Sequence, residues 1–391
     1  MSRHGSQQRT LLEILGKLRP HWRAEPGLPS RIDSLLSRDR RLGSRDRRLY
    51  RELAYTALRY LPWVEPLLDS APDEAARRIA WLSGDAPVVK PFRDALAGEM
   101  PLCPAGAAAK AAVLGTRASD LAPDWLGAEC PEAMAPPLQD ALLSRAPLWL
   151  RLNADDPREV TEEFDALSWK WSESPALPGA LRLAPGTDVS KSRAHHQGRV
   201  EIQDIGSQLI LASVKPSPGG RWLDACAGAG GKSLHLAALL GPEGRVVARD
   251  LRASALAELA LRADRAGVGS QIRIGDPQDP KDGFDGVLVD APCSGSGTWR
   301  RSPHLRWCTT LKSVRTAADL QLELLRDAAR RVRHEGTLAY ATCSLCHSEN
   351  EAVVERFLGS VPGYEPVIPG LRIGPPEPDG DAYFVASFRR L

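Results

Sequence analysis

Long apolar runs are absent from this 391-residue sequence. None reaches the length of about 18 residues that marks a membrane-spanning helix. The opening segment MSRHGSQQRTLLEILGKLRP also lacks a signal-peptide core and a small-residue cleavage site. We therefore expect neither a membrane span nor export, and the seven cysteines are expected to be reduced thiols.

Closely spaced cysteine pairs are also scarce, since Cys343 and Cys346 form the single C-x-x-C of the chain. With His347 they match C-x-x-C-H, the spacing that attaches a c-type haem. Such attachment normally occurs outside the cytoplasm, and a structural zinc site needs a second cysteine pair nearby. A haem, a redox pair and a metal pair are therefore minor alternatives, and no metal site is predicted.

Charge of one sign is not in large excess, because the net charge is only +2. Residues 1–60 differ from the rest, with 14 Lys and Arg against 6 Asp and Glu. This local excess favours an anionic partner such as nucleic acid. A solvated, arginine-rich helical face is the alternative explanation.

The apolar pattern divides the chain into three regions. Residues 1–135 have apolar side chains at helical spacing and predict an all-helical domain. Residues 136–198 alternate short strands with a helix, which indicates a small α+β module. Residues 199–391 repeat strand–helix units, which predict an α/β domain with a mainly parallel, doubly wound sheet.

A glycine cluster follows the first strand of the α/β region, in LDACAGAGGKS. Glycines allow a ligand to approach the backbone closely, and the helix that follows offers free N–H groups. The spacing is neither G-x-G-x-x-G nor a phosphate-binding loop, because Cys226 stands where that loop needs glycine. A purely structural turn explains the glycines equally well.

Carboxylates stand at the ends of four successive predicted strands, at Asp224, Asp250, Asp276 and Asp290. Unpaired buried carboxylates are costly, so the pattern indicates a ligand with hydroxyls, amines and a positive centre. Asp250 is placed to bind ribose hydroxyls, and Asp276 to bind a base edge. S-adenosylmethionine fits this description better than NAD, which needs the missing phosphate-binding spacing.

Two cysteines follow neighbouring predicted strands, Cys293 in DAPCSGSG and Cys343 in ATCS. Both should emerge at the ligand-binding edge of the sheet. A lone cysteine is more often a small buried apolar residue. Two cysteines at this edge, each followed by serine, instead favour reactive thiols.

The segments DACAGAGGKS, FDGVLVDAPCSGSGTWRRSPHLRW and LAYATCSLCHSENEAVVERFL resemble three motifs of the RNA cytosine-C5 methyltransferases. This family includes the Fmu/RsmB-type rRNA methyltransferases and the NSUN enzymes. The resemblance covers about residues 195–391, and the N-terminal helices are similar to the NusB-like, RNA-binding domain of the Fmu/RsmB branch. It implies a Rossmann-like methyltransferase domain that uses S-adenosylmethionine to methylate cytosine C5 in RNA, with 16S rRNA as the first expectation. A tRNA substrate and a non-catalytic RNA-binding assembly factor remain alternatives.

The resemblance assigns roles to individual residues. Cys343 attacks cytosine C6, and Cys293 assists release of the product. Asp290 is expected beside cytosine N3 and N4. Lys232 is expected to contact the cofactor carboxylate or to lower the pKa of a thiol, although a simple helix-terminus lysine is the alternative.

Further residues are assigned to ligands as sets. The cofactor set comprises Asp224, Ala225, Cys226, Ala227, Gly228, Gly230, Gly231, Lys232, Asp250, Arg252, Asp276 and Asp290. The RNA set comprises Trp299, Arg300 and Arg301. Ala229 stands where the family usually has proline, so we expect a looser turn that still binds the cofactor. A monomeric, cytoplasmic protein without an obligate protein partner is expected.

Overall fold

The computed structural model describes residues 3–84, 86–154, 156–275 and 283–391. The chain forms two compact units. The first contains Met1–Ser144 and Trp299–Thr310, and the second contains Arg145–Thr298 and Leu311–Leu391. Within the described ranges, every helix is too short or too polar to cross a membrane.

The first unit is helical, as the spacing of apolar residues predicts. Its helices up to Ser144 are α1 (Arg3–Leu18), α2 (Leu28–Arg38), α3 (Ser44–Arg59), α4 (Leu61–Val64), α5 (Leu67–Ser70), α6 (Pro72–Leu82), α7 (Lys90–Ala97), α8 (Ala107–Leu114), α9 (Leu126–Glu129) and α10 (Leu138–Leu143). In α3, Leu49, Leu53 and Ala57 recur every four residues and are buried, while Arg48 and Arg51 are exposed. This one-sided pattern packs the helix against its neighbours.

The second unit begins with a small sheet. Its elements are β1 (Leu148–Leu152), α11 (Pro157–Ala166), β2 (Trp171–Glu173), β3 (Ala180–Leu183), α12 (Arg193–His196) and β4 (Val200–Ile202). The strand order is β2-β3-β1-β4, and every pair is antiparallel. Val160 and Phe164 of α11 are buried with Leu150 of β1. These elements occupy nearly the span predicted for the α+β module, while the division of the chain into three domains stays a prediction.

The larger sheet of the second unit has seven strands in the order β10-β11-β9-β8-β5-β6-β7. The elements are α13 (Ile205–Val214), β5 (Arg221–Asp224), α14 (Gly231–Leu240), β6 (Arg245–Ala248), α15 (Ala253–Arg265), β7 (Ile272–Ile274), β8 (Phe284–Asp290), α17 (Leu311–Ala329), β9 (Val332–Thr342), α18 (Glu351–Ser360), β10 (Tyr364–Ile373) and β11 (Tyr383–Arg390). Strands β5 to β9 pair in parallel, whereas β11 pairs antiparallel with β9 and β10. The second unit therefore has the predicted Rossmann-like, mostly parallel sheet.

Strand β10 is the one strand of this sheet that the sequence did not indicate. It contains Pro366 and Pro369, and proline cannot donate a hydrogen bond to a neighbouring strand. It is tolerated because β10 lies at the edge of the sheet and pairs with β11 alone, with irregular register near both prolines. Strands β10 and β11 thus extend the sheet beyond β9, so that β9 is not an edge strand.

Residues 299–310 belong to the helical first unit and contain the short helix α16 (Leu305–Cys308). Trp299 is fully buried and lies edge-on to Trp125, with 6.2 Å between ring centroids. The guanidinium of Arg306 lies 5.4 Å from the centre of the Trp299 ring and donates hydrogen bonds to the carbonyls of Leu121 and Leu142. Burial lowers the pKa of Arg306 to about 9. This segment is therefore part of the core of the helical unit.

Replacing Trp299 tests this placement. We expect Trp299→Ala to lower the free energy of unfolding by about 3–5 kcal/mol, because it empties a buried site of indole size. Leu102→Ala is the matched control, since Leu102 is 92% exposed in the same unit and should change stability little. Urea unfolding followed by circular dichroism measures both. A loss below 1 kcal/mol for Trp299→Ala contradicts the placement.

Candidate active site

The carboxyl ends of the parallel strands meet at one edge of the larger sheet, which is where ligands bind in doubly wound folds. Asp224 pairs in register with Ala248 on one side and Leu288 on the other. Asp290 pairs with Ala341. The predicted cofactor residues after β5 and β6 therefore share this edge with the residues after β8 and β9. Asp276, predicted to hold a base edge, lies outside the described residues.

The glycine loop after β5 requires its glycines. Gly228 and Gly230 have φ of +54° and +88°, a region that side chains disfavour. A Cβ atom at Gly230 would lie 2.5 Å from the side chain of Leu259. The carbonyl of Ala229 accepts a hydrogen bond of 2.6 Å from Arg262, so the turn is fixed although proline is absent.

Asp250 joins the glycine loop to β6. Its carboxylate accepts hydrogen bonds from the backbone N–H of Gly228 (2.8 Å) and of Arg252 (2.9 Å) and from the Arg252 guanidinium. The hydrogen bond from the Arg252 side chain is the main cause that lowers the pKa of Asp250. The predicted binding of ribose hydroxyls by this carboxylate stays a prediction.

Asp224 is a fully buried carboxylate at the end of β5. One oxygen accepts a 2.7 Å hydrogen bond from Ser233, while the other, Oδ1, has no hydrogen-bond partner among the described residues. Burial raises the pKa of Asp224 to about 7. Burial also raises the pKa of the nearby Cys226 thiol to about 12, with the neighbouring carboxylates adding to the effect. Cys226 is therefore a poor nucleophile within this loop.

The backbone around Asp224 is tied to both neighbouring strands. The N–H of Ala225 donates to the carbonyl of Leu288, and the N–H of Ala227 donates to the carbonyl of Arg249. Arg249 in turn donates its own N–H to the carbonyl of Asp224. These hydrogen bonds fix the backbone of the loop to the residues of its two neighbouring strands before Gly231 begins α14.

Lys232 and Asp290 form a close ion pair, with 2.7 Å between Nζ and Oδ2. Lys232 is buried, and its ammonium lies 5.4 Å from the centre of the Tyr383 ring. Burial alone acts to lower the pKa of Lys232, but attraction and hydrogen bonding by Asp290 outweigh it, so the pKa is raised. Lys232 is therefore charged and orients the carboxylate that follows β8.

The two predicted reactive cysteines lie side by side, with 3.4 Å between the sulfur atoms of Cys293 and Cys343. Both are partly exposed. The hydrogen bond to Cys343, followed by burial, raises the pKa of Cys293 well above the usual value for a thiol. The structure thus brings together the pair that the two sequence motifs predicted.

Glu349 is a site residue to which the sequence motifs assigned no role. It is fully buried and accepts a hydrogen bond of 2.7 Å from the N–H of Ser294, the residue after Cys293. The available signal was its place in the third motif, a few residues after Cys343. A charged residue at that position is expected to be exposed at the start of a helix. Only its burial in the structure indicates a role in the site.

The residues of the C-x-x-C-H spacing have protein partners in this structure. Cys346 is fully buried, with its sulfur 3.7 Å from the hydroxyl of Ser296. His347 instead pairs with Glu351. Over the ranges that the structure describes, no three His, Cys, Asp or Glu side chains are grouped to hold a metal ion.

The predicted RNA contacts of Trp299 and Arg300 need correction. Trp299 is fully buried and Arg300 is 2% exposed, with its guanidinium 2.8 Å from the hydroxyl of Ser144. Neither side chain is accessible to RNA in this structure, because both are built into the helical unit. Arg301 is partly exposed, and its RNA contact stays a prediction.

Known proteins resemble this chain in sequence. Residues 211–389 match the family model described as 16S rRNA methyltransferase RsmB/F. Ribosomal RNA small subunit methyltransferase B of Klebsiella pneumoniae (strain 342) is 32% identical over 285 residues, which is 68% of this chain. The chain spans 65% of the length of that relative.

Solved structures resemble it in fold. The crystal structure of PH0851 has a TM-score of 0.74 at 21% identity and covers 100% of both chains. NSun6 from Pyrococcus horikoshii with SFG has a TM-score of 0.58 at 18% identity and covers 64% of this chain and 92% of that one. At these identities the likeness establishes the fold alone. Together with the family model and the curated relatives, the sequence motifs place the chain in the RsmB/F family of 16S rRNA methyltransferases.

Proposed function

We propose that this protein methylates cytosine C5 in 16S rRNA, with S-adenosylmethionine as the methyl donor. The observation that carries the proposal is the pair of sulfur atoms 3.4 Å apart, at the same sheet edge as the Lys232–Asp290 ion pair. Two thiols at a ligand-binding edge suit a reaction that attaches a base and then releases it. The name of the curated relative supports rRNA as the substrate class.

The residues of the glycine loop suit S-adenosylmethionine. The buried Oδ1 of Asp224 has no hydrogen-bond partner within the described part of the chain, so it offers an acceptor for a positively charged donor group. Gly230 has a positive φ, and a Cβ atom there would clash with Leu259, so the turn that leads into α14 requires glycine. When bound, the cofactor supplies an electrophilic methyl group. Asp224, Asp250 and the backbone from Ala225 to Gly231 would hold it, with Arg252 orienting Asp250.

Cys343 carries the first chemical step in this proposal. Its thiolate adds to cytosine C6, so an S–C6 bond forms and the electrons of the C5–C6 double bond make C5 nucleophilic. Asp290 stabilises the altered ring at N3 and N4, because a positioned polar group acts where charge develops. Lys232 holds Asp290 in place for this role.

Cys293 assists the release of the product. After methylation, water takes the C5 proton and the S–C6 bond breaks, so the ring regains its double bond. The departing Cys343 thiolate accepts a hydrogen bond from the Cys293 thiol, whose sulfur lies 3.4 Å away. The raised pKa keeps Cys293 as a thiol while Cys343 reacts.

Incubation with methyl-labelled S-adenosylmethionine tests the activity directly. Unmodified 16S rRNA should gain label as 5-methylcytosine, whereas tRNA should not. No label in either RNA would favour a non-catalytic assembly factor. Label in tRNA alone would mean that the substrate is tRNA and not rRNA. Bisulfite sequencing of RNA from cells with and without the gene then locates the cytosine.

We expect a monomer that acts in the cytoplasm.

Substitution of each cysteine should have a different result. Cys343→Ala should abolish methylation, because the nucleophile is lost. Cys293→Ala should accumulate an RNA–protein adduct that survives a denaturing gel, because release is impaired. Cys103→Ala is the matched control and should retain activity, because this partly exposed thiol lies in the helical unit. An adduct formed by Cys343→Ala would reverse the assignment of the two roles.

Asp224 should make stability depend on pH in the cofactor-free protein. The pKa of Asp224 is about 7 in the folded protein, above its ordinary value of 3.8, so the fold loses stability as pH rises through this range. The penalty is about 4 kcal/mol once the carboxyl is fully ionised. Relative to wild type, Asp224→Asn should therefore gain stability as pH rises from 4 to 8, as measured by urea unfolding.

Asp250→Asn is the control with the opposite sign. Its lowered pKa means that the ionised carboxylate stabilises the fold, so this variant should already be less stable than wild type at pH 5. A stability difference for Asp224→Asn that does not change with pH would contradict the buried, partly unpaired carboxyl.

The helical unit offers a basic surface for RNA between α2 and α3. The arginines at positions 38, 40, 45 and 48 are all exposed there. Replacing Arg40, Arg45 and Arg48 with glutamine should weaken RNA binding and reduce the slope of log K against log salt by about 2–3.

Arg77→Gln with Lys90→Gln is the control for this surface. These cations lie in the same unit but pair with Glu74 and Asp94. The control should leave the salt slope nearly unchanged. An unchanged slope in the triple variant would assign RNA binding to another surface.

A further inference from the structure

Glu349 is a fully buried carboxylate in the turn between β9 and α18. A buried charge is costly unless several donors surround it. Four donors meet this carboxylate. Ser294 provides its N–H (2.7 Å) and its hydroxyl (2.5 Å), Gln321 provides its amide (3.1 Å), and Ser344 provides its hydroxyl.

These donors come from both cysteine loops. Ser294 follows Cys293 directly, and Ser344 follows Cys343 directly. The two serine hydroxyls lie 3.2 Å apart and share one carboxylate oxygen of Glu349. A single side chain thus fixes the residue after each sulfur.

The same residue is anchored from the opposite side. The hydroxyl of Tyr340 lies 2.5 Å from the backbone carbonyl oxygen of Glu349, to which it donates, and 3.1 Å from the side-chain oxygen of Gln321. Gln321 also donates to the carbonyl of Pro292, the residue before Cys293. The loop that carries Cys293 is therefore held on both sides of the sulfur.

The surrounding charges differ between the two sulfurs. For Cys293, the hydrogen bond to Cys343 is the largest cause of the raised pKa, followed by burial and the charges of Cys343 and Glu349. Lys232, which is paired with Asp290, interacts electrostatically with Cys343. Tyr340 also neighbours Cys293, and burial raises the pKa of this tyrosine well above its usual value, so it is neutral.

We propose that Glu349 is a positioning residue that sets the spacing of Cys293 and Cys343 and assigns them different chemical roles. The inference rests on the proposed function and deepens it. By tying the residue after each cysteine to one carboxylate, Glu349 keeps the sulfurs in contact. Its carboxylate also lies against the Cys293 loop through Ser294, so its charge adds to the effects of Cys343 and of burial on that sulfur.

Alkylation by iodoacetamide, without RNA or cofactor, tests this assignment at the sulfurs themselves. Peptide mass spectrometry measures the rate at each cysteine between pH 6 and 10. In the wild type, Cys343 should react before Cys293. In Glu349→Gln, the reaction of Cys293 should move to lower pH, and the ratio of the two rates should fall roughly 3- to 10-fold, which corresponds to about 0.5–1 pKa unit.

Kinetics with unmodified rRNA provide the second measurement. Glu349→Gln should lower kcat by about 10- to 100-fold, because a small displacement of a nucleophile is costly, while KM for S-adenosylmethionine stays within about twofold. Glu355→Gln is the matched control, because Glu355 is exposed on the adjoining helix α18. It should match the wild type in both measurements.

Unchanged alkylation ratios together with an unchanged kcat in Glu349→Gln would overturn the inference. If that variant does not fold, Glu349→Asp decides, because it keeps the charge but shortens the reach to the serines. Glu349→Asp should retain slow alkylation of Cys293 but have a lower kcat than the wild type. An unchanged kcat overturns the proposal. If the wild type methylates no RNA, the proposed function fails, while the alkylation ratio still measures the effect of Glu349 on the thiols.

Discussion

The parallel pairing of β8 with β9 is the constraint on which the site depends. It places Asp290 beside Ala341, so the loops that follow the two strands emerge next to each other. Cys293 and Cys343 are 50 residues apart in the chain, yet their sulfurs come within 3.4 Å. Central strands that are buried on both faces permit little change of register, because a shift of one residue would reverse every side chain. The rigid sheet therefore supplies the precision that a site built on loops alone would lack.

Buried charges are the second feature of this edge, and the fold satisfies most of them with fixed donors. Asp290 is paired with Lys232, and Glu349 is surrounded by hydroxyl and amide donors. Glu201, 2% exposed on β4, binds Arg262, which also holds the glycine loop through Ala229. Asp224 differs, because one of its oxygens has no partner among the described residues. This contrast distinguishes carboxylates that build the site from one that is suited to a ligand.

The errors of sequence reasoning have identifiable physical causes. Strand β10 was missed because its two prolines argue against a strand, and only its position at the sheet edge makes them acceptable. Trp299 and Arg300 were assigned to RNA because they follow the Cys293 loop in sequence. The chain instead enters the helical unit at Trp299, where packing with Trp125 determines its environment. Adjacency to a motif says nothing about which core a residue joins.

The sequence by itself determined the fold class and the strand ends that carry Asp224, Asp250 and Asp290. It also determined that the two cysteine loops follow strands. These features are predictable because strand periodicity and glycine turns are local properties. Only the tertiary structure decided the distance between the sulfurs, the ion pair of Lys232 and the role of Glu349. These features depend on residues that are far apart in the chain and on burial, which converts an ordinary carboxylate into one that must be held by donors. Burial depends on the packing of the whole unit, so it cannot be predicted from any short segment of the sequence.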